Sequence, residues 1–268
     1  RRSLFFRRQR LFHEALALDL APHLLQQFLD GVVVEGIEHV RNLPSGQAML
    51  FLSPHYSLYS SLLPLWMARA VRQGLLSHLT ILLDSGPAGS LGLPASRIDE
   101  LEAAGLVCRA ATTLLDMDSG YEAGRSLVAR LRAGGSALIF PDTSFQTTTT
   151  ARTLQLTIGV RDVGVRRGAA WLAHIARCPV VPVHVRPTGD RYTLTFGAPV
   201  YGSADGEADA VIQTALQQLV EQTIGVDAGP WEGWLSLPAV ESMPAETYVA
   251  GDAEMPWTTG PRAQGGRL

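Results

Sequence analysis

The sequence predicts an α/β fold: a mixed, mostly parallel central sheet flanked by helices. Three observations carry that expectation. Short β-type runs alternate with helix-period segments from about residue 31 to 224, the pattern of helices packed on a mostly parallel sheet. Two apolar runs, 48–52 and 136–140, each end at a proline and read as buried strands whose ends open into loops. With 268 residues, 46% of them apolar, the chain can bury the core of one large domain.

Taken in order, residues 11–29 place Leu11, Ala15, Leu18, Ala21, Leu24, Leu25 and Phe28 at near-helical spacing, interrupted by Pro22, which predicts a kinked amphipathic helix. Arg1, Arg2, Arg7, Arg8 and Arg10 precede it, interleaved with Phe5, Phe6 and Phe12. Such a basic amphipathic segment either lies on an anionic lipid surface or packs on its own domain with a solvated end, and both readings stand. Strands are expected at 31–35, 48–53, 78–83, 106–109, 136–140, 179–185 and 191–197. Helices are expected near 57–73, 94–104, 119–133, 166–177 and 205–224. The last two strands, joined through Pro187-Thr188-Gly189-Asp190, read as a hairpin. After Leu237 the periodicity gives way to Pro, Gly, Glu and Thr. The expected organisation is a basic helical segment at 1–30, an α/β domain at 31–237 and a loose tail at 238–268. The absence of an initiator methionine leaves open a segment upstream of Arg1.

Composition narrows the function classes. The formal net charge is −3, so no overall basic field supports nucleic-acid binding. All 22 basic residues counted are arginines, a trait of coding bias rather than of function. Cys108 and Cys178 are too few and too isolated for a disulfide framework or a zinc site; both sit in apolar contexts and suit a reducing compartment. No apolar stretch reaches the roughly 18–20 residues of a membrane span. The glycine-rich 85–90 segment has no P-loop lysine, and no Gly-x-Ser-x-Gly elbow occurs. His174 and His184 fall inside apolar helix and strand patterns and are expected in the core or at an interface. No metal site is expected.

Two blocks carry the chemistry: Ser53-Pro54-His55-Tyr56-Ser57-Leu58-Tyr59-Ser60 and Phe140-Pro141-Asp142-Thr143-Ser144-Phe145-Gln146. Loops at the ends of strands in an open α/β sheet are where site residues gather. His55 follows a strand and a proline and precedes a helix, a good position for a general base; the plainer alternative is a histidine that caps the helix or fills the core. Asp142 after proline reads either as a site carboxylate or as a turn aspartate.

The order of these blocks resembles the glycerophospholipid and lipid A acyltransferase superfamily, over about residues 31–237. Its first motif is a histidine followed, after four intervening residues, by Asp or Glu; its later motif reads roughly Phe-Pro-Glu-Gly-Thr-Arg and lies over Phe140 to Phe145. Gly168-Ala169-Ala170-Trp171-Leu172-Ala173, the Cys178-Pro179-Val180-Val181-Pro182-Val183 run and Pro230-Trp231-Glu232-Gly233-Trp234 are similar to later segments of the lipid A branch. The resemblance implies an enzyme that moves an acyl group from an acyl-carrier-protein or acyl-coenzyme A thioester to a hydroxyl or amine. It implies His55 as base and no cofactor beyond that acyl donor. It also implies a place in the cytoplasm or at the cytoplasmic face of the inner membrane, with peripheral contact through the N-terminal segment. Two departures qualify it. Ser60 stands where the motif carries its acid, so the partner of His55 is expected to be Asp142, a tyrosine such as Tyr59, or a backbone carbonyl. Phe145 stands where the glycerolipid branch has an arginine, so no phosphate clamp is expected there. Thr143 and Ser144 are candidate oxyanion donors. Arg161, Arg166 and Arg167 are candidates for a phosphopantetheine phosphate or an acidic carrier, against the ordinary reading of a solvated helix end. Trp66, with Leu62, Leu63 and Leu65, either lines an acyl groove or belongs to the core. The departures suggest specialised metabolism. The competing readings are a non-catalytic relative that binds lipid or a carrier protein, and a thioester hydrolase.

Overall fold

The computed structural model describes residues 22–54, 62–83, 95–108, 110–116, 121–141, 145–146, 153–159, 161–189, 191–202 and 208–227. A seven-stranded sheet is built from β1 (Val32–Glu35), β2 (Leu50–Leu52), β3 (Leu79–Leu83), β4 (Thr112–Asp116), β5 (Ser136–Ile139), β9 (Val180–Thr188) and β10 (Arg191–Phe196). Its order is β1-β10-β9-β2-β5-β3-β4. Every pairing is parallel except β9 with β10. The expected mixed, mostly parallel sheet is therefore what forms.

Alternation of side chains along each strand divides the core into two layers. Leu50 and Leu52 of β2, Ala137 and Ile139 of β5 and Val180 of β9 share one face. They pack under helices α5 (Tyr121–Arg132), α6 (Gly168–Ala176) and α7 (Ala208–Gln222). Phe51, Leu138, Val181, Val183, Leu194 and Phe196 share the other face, against α3 (Leu62–Arg72). Helix α3 presents Leu63, Met67, Ala70 and Val71, the i, i+4, i+7, i+8 stripe of an amphipathic helix. Helices α1 (Pro22–Asp30) and α4 (Ala95–Ala103) join α3 at a third, smaller cluster of Leu29, Ala68, Leu101, Leu106 and Val107. A short helix, α2 (Glu38–Arg41), follows β1.

The N-terminal segment thus ends docked. Pro22 occupies the first position of α1, where its missing N–H costs nothing. Leu29 is buried on α3, and Asp30 pairs with Arg69. Residues 1–21, and with them the basic leader, lie outside the described residues. None of the described helices is long and apolar enough to cross a membrane.

Several expectations are corrected. The fourth strand is at Thr112–Asp116, not 106–109. Gly105, at φ +79°, ends α4 in the left-handed conformation, and the amide of Leu106 donates back to the Leu101 carbonyl at 2.9 Å; Leu106 and Val107 are buried as part of that cap. The helix expected from 166 begins at Gly168, because 161–166 is strand. That strand, β8 (Arg161–Arg166), belongs to a second, antiparallel sheet with β6 (Phe145–Gln146) and β7 (Thr153–Ile158), in the order β6-β8-β7, which the sequence reading missed. Its signal was present: Leu154, Leu156 and Ile158 alternate with exposed Gln155 and Thr157. The edge of β7 is covered by Gln217 of α7, whose Oε1 accepts from the Thr157 amide at 2.8 Å while Nε2 donates to the Thr157 carbonyl at 3.1 Å. His174 is exposed rather than in the core, and Cys108 is half-buried; Cys178 and His184 are buried as expected. The β9–β10 hairpin forms, with Thr188 opposite Arg191 and Gly189 at φ +62° in its two-residue turn.

Candidate functional site

The two chemistry-bearing blocks leave the sheet side by side. β2 and β5 are parallel neighbours, with Leu52 paired to Ile139, and the Ser53 amide donates to the Ile139 carbonyl at 3.1 Å. Both strands run in the same direction, so Pro54 and Pro141 emerge at the same edge. Adjacent strands are about 4.8 Å apart. Ser53, 1% exposed, turns its hydroxyl to the Pro54 carbonyl at 3.3 Å, so the polar exit of β2 is satisfied locally. His55, Tyr59, Ser60, Asp142, Thr143 and Ser144 themselves lie outside the described residues.

The second block is held from its other end as well. Three residues after Pro141 the chain enters β6, where Phe145 pairs with Val165 and Gln146 with Gly164. This sets the C-terminal end of β8 next to the block. Arg166 follows Val165 directly and is exposed; Arg167, also exposed, forms an ion pair with Asp209 of α7. Helix α6 then runs from Gly168 back to the start of β9, so its N-terminal end lies on the same edge as Pro54 and Pro141. Arg161 does not join these two arginines. It pairs with Ile158 at the opposite end of β8, ~17 Å from Arg166 at strand rise. The expected cluster of three is a pair and a distant third.

Trp66 sits on α3 with its ring 5.7 Å from that of Phe196, which in turn meets Phe51 edge-to-face at 6.1 Å. These contacts are those of core packing between helix and sheet. A depression of about 720 Å³, lined by Gln155, Thr157, Gln213 and Gln217 among others, lies between β7 and α7, toward the Ile158 end of the small sheet and away from the Pro54 edge.

Sequence reasoning passed over one part of this edge. β9 continues past the end of β2: Leu52 is level with Pro182, which carries the register on to put Pro54 level with His184. Along β9, Val181, Val183 and Val185 point into the α3 layer, so His184 and Arg186 point to the other face. His184 is 5% exposed. Burial, and then the charge of Arg186, push its pKa down to about 4, so the ring is neutral near pH 7. The Arg186 Nε is buried and has no hydrogen-bond partner. The alternation Val183-His184-Val185-Arg186 was the available signal for a polar face at the strand end. Among the described residues, no group of three or more His, Cys, Asp or Glu is arranged to hold a metal ion.

No family model matches the chain, and no curated protein matches it. Among solved structures, the chain is similar to the 1-acyl-sn-glycerophosphate acyltransferase PlsC from Thermotoga maritima, with 15% sequence identity and a TM-score of 0.46, over 86% of this chain and 82% of that one.

Proposed function

We propose that this protein is an acyltransferase of the lysophospholipid type, transferring an acyl group from a carrier-protein or coenzyme A thioester to a hydroxyl or amine acceptor, in specialised metabolism. What supports the reading is the order of motifs in the sequence together with one geometric fact: the strands that precede His55 and Asp142 are hydrogen-bonded parallel neighbours that end at one level. Two loops leaving such ends can bring an imidazole and a carboxylate to one mouth.

In this reading His55 takes the proton from the acceptor as its oxygen or nitrogen attacks the thioester carbonyl carbon. The carbonyl π pair moves to oxygen, where Thr143, Ser144 or backbone amides after Pro141 donate hydrogen bonds; one such donor is typically worth ~10²–10³ in rate. Collapse of the tetrahedral intermediate breaks the C–S bond, and the imidazolium returns its proton to the leaving thiolate. Asp142 accepts from the other ring nitrogen and stabilises the imidazolium, the task that Ser60, without charge, cannot do alone. Arg166 and Arg167 face the carrier or its phosphate. The N-terminal arginine-rich segment supplies peripheral membrane contact.

The test is His55→Ala, with thiol release from acyl-coenzyme A and acyl-carrier protein followed alongside the circular dichroism spectrum. A ~10²–10⁴-fold loss of transfer with an unchanged spectrum is expected; full turnover by the variant refutes the assignment. Ser60 at the motif's acid position favours a second reading, a binding protein that has lost turnover. It predicts that wild type binds an acyl thioester without consuming it.

A further inference from the structure

Beside the exit of β2, a cationic side chain carries a buried donor that no described residue accepts from. The Nε of the half-buried Arg186 makes no hydrogen bond and is out of reach of water. A buried donor left unmade is costly, more so on a charged group, so this Nε–H calls for an acceptor. Its described strand neighbours on the same face offer none with charge. His184 precedes it by two residues and is buried at 5% exposure, with no hydrogen bond to a described residue. Thr193 and Thr195 of β10 lie opposite Arg186 and His184, and the Thr193 hydroxyl is already engaged by Thr188 at 3.0 Å. Glu35, a carboxylate on the same face of the sheet, is on β1, two strands or ~10 Å away, and accepts from Thr195.

We propose that Arg186, with the imidazole of His184 beside it, is an anion-binding subsite at the mouth of the sheet, built for a phosphate or carboxylate group of a substrate. Arginine presents a fixed fork of N–H donors suited to either group, and a neutral histidine adds one more N–H without a competing charge. The position next to Pro54 places a bound anion beside the loop that carries His55. Only the identity of the molecule bearing the anion rests on the acyl-transfer reading; the subsite does not.

The experiment is calorimetric titration of the full chain with inorganic phosphate and with coenzyme A. Wild type is expected to bind, Arg186→Gln to bind ~10–100-fold more weakly, and Arg191→Gln, at the exposed hairpin end of β10, to bind as wild type does. If Arg186→Gln melts at a clearly lower temperature, Arg186→Lys takes its place. It keeps the charge but loses the fork, and weaker binding is again expected. Absence of binding by wild type, or equal affinity in the Arg186 variants, overturns the subsite. Where turnover is measurable, the source of the anion follows from comparing acyl-coenzyme A with the phosphate-free acyl-pantetheine. A donor KM raised by Arg186→Gln only for the former assigns the anion to the donor, and an acceptor KM raised with either donor assigns it to the acceptor. If the protein turns over no thioester, the phosphate titration still decides the subsite, so the two proposals fail separately.

Discussion

Ser53 and Ile139 are joined by a hydrogen bond of 3.1 Å from amide to carbonyl, one rung beyond the last paired residues of β2 and β5. That rung fixes the level at which the two prolines, and the loops after them, leave the sheet. The position of the candidate site is therefore a property of the sheet's middle, not of the loops.

The middle depends on Phe51. Its ring is fully buried, edge-on to Phe196 and within the layer under α3. Phe51→Ala should cost ~3–5 kcal/mol, read as a lower urea midpoint with little change in slope.

Asp142→Asn should lower turnover by ~10²–10⁴-fold with little change in substrate affinity, because the neutral amide no longer stabilises the imidazolium. Ser60→Asp should leave wild-type turnover within a few fold. A large gain by Ser60→Asp over an inert wild type would instead identify a decayed site. Steady-state kinetics on the two variants separates these outcomes.

Much of this architecture was legible in the sequence, for identifiable reasons. Leu50 to Leu52 and Ser136 to Ile139 are buried on both faces, and continuous apolar runs ending in proline announce such strands. β4 was misplaced because Leu106 and Val107 look like a strand but bury against α1 and α3, whereas Thr112 and Thr113 begin a strand with polar side chains. β7 and β8 were missed because no strand was expected between 140 and 166, and the helix was expected to begin at 166, where β8 ends. Of the site, the two blocks and their common edge followed from the motifs. Arg186 did not, because what marks it is a buried Nε with no hydrogen-bond partner, a fact of three-dimensional neighbourhood.

Acid should destabilise the protein. His184 has a folded pKa of about 4 against an ordinary 6.5, lowered by burial and then by Arg186. His78 is lowered by burial and then by Arg130, whose guanidinium donates to its Nε2 at 3.2 Å, with the Thr113 hydroxyl at 3.0 Å from the same nitrogen. Between the folded and unfolded values the unfolded chain binds more protons, so stability rises with pH across that window and falls as pH drops from 6.5 toward 4. Urea unfolding at roughly pH 7 and pH 5 should show the loss, and His184→Gln should flatten it.

Gly36→Ala should unfold or severely destabilise the chain. Gly36 has φ +68°, and a Cβ there would lie 2.0 Å from the Phe196 carbonyl oxygen, which already accepts from the His39 Nδ1–H at 3.0 Å. A drop in melting temperature checks it.

The thiols should react in order. Cys178 is buried, and burial pushes its pKa up to about 11, whereas Cys108 is half-buried. Iodoacetamide at neutral pH should label Cys108 first and Cys178 only on unfolding, as mass spectrometry would show.

The pairing of β1 with β10 ties Glu35 to Thr195 across 160 positions of sequence. During synthesis, the first strand of the sheet therefore waits with no neighbour until nearly three-quarters of the chain has left the ribosome. β2 waits almost as long for β9. Such long-separation closure makes for slow assembly and a prolonged interval in which strand edges are open to wrong partners. Termination before β10 would leave β1 without its one partner in the sheet, while β2 and β3 could still pair with β5 and β4.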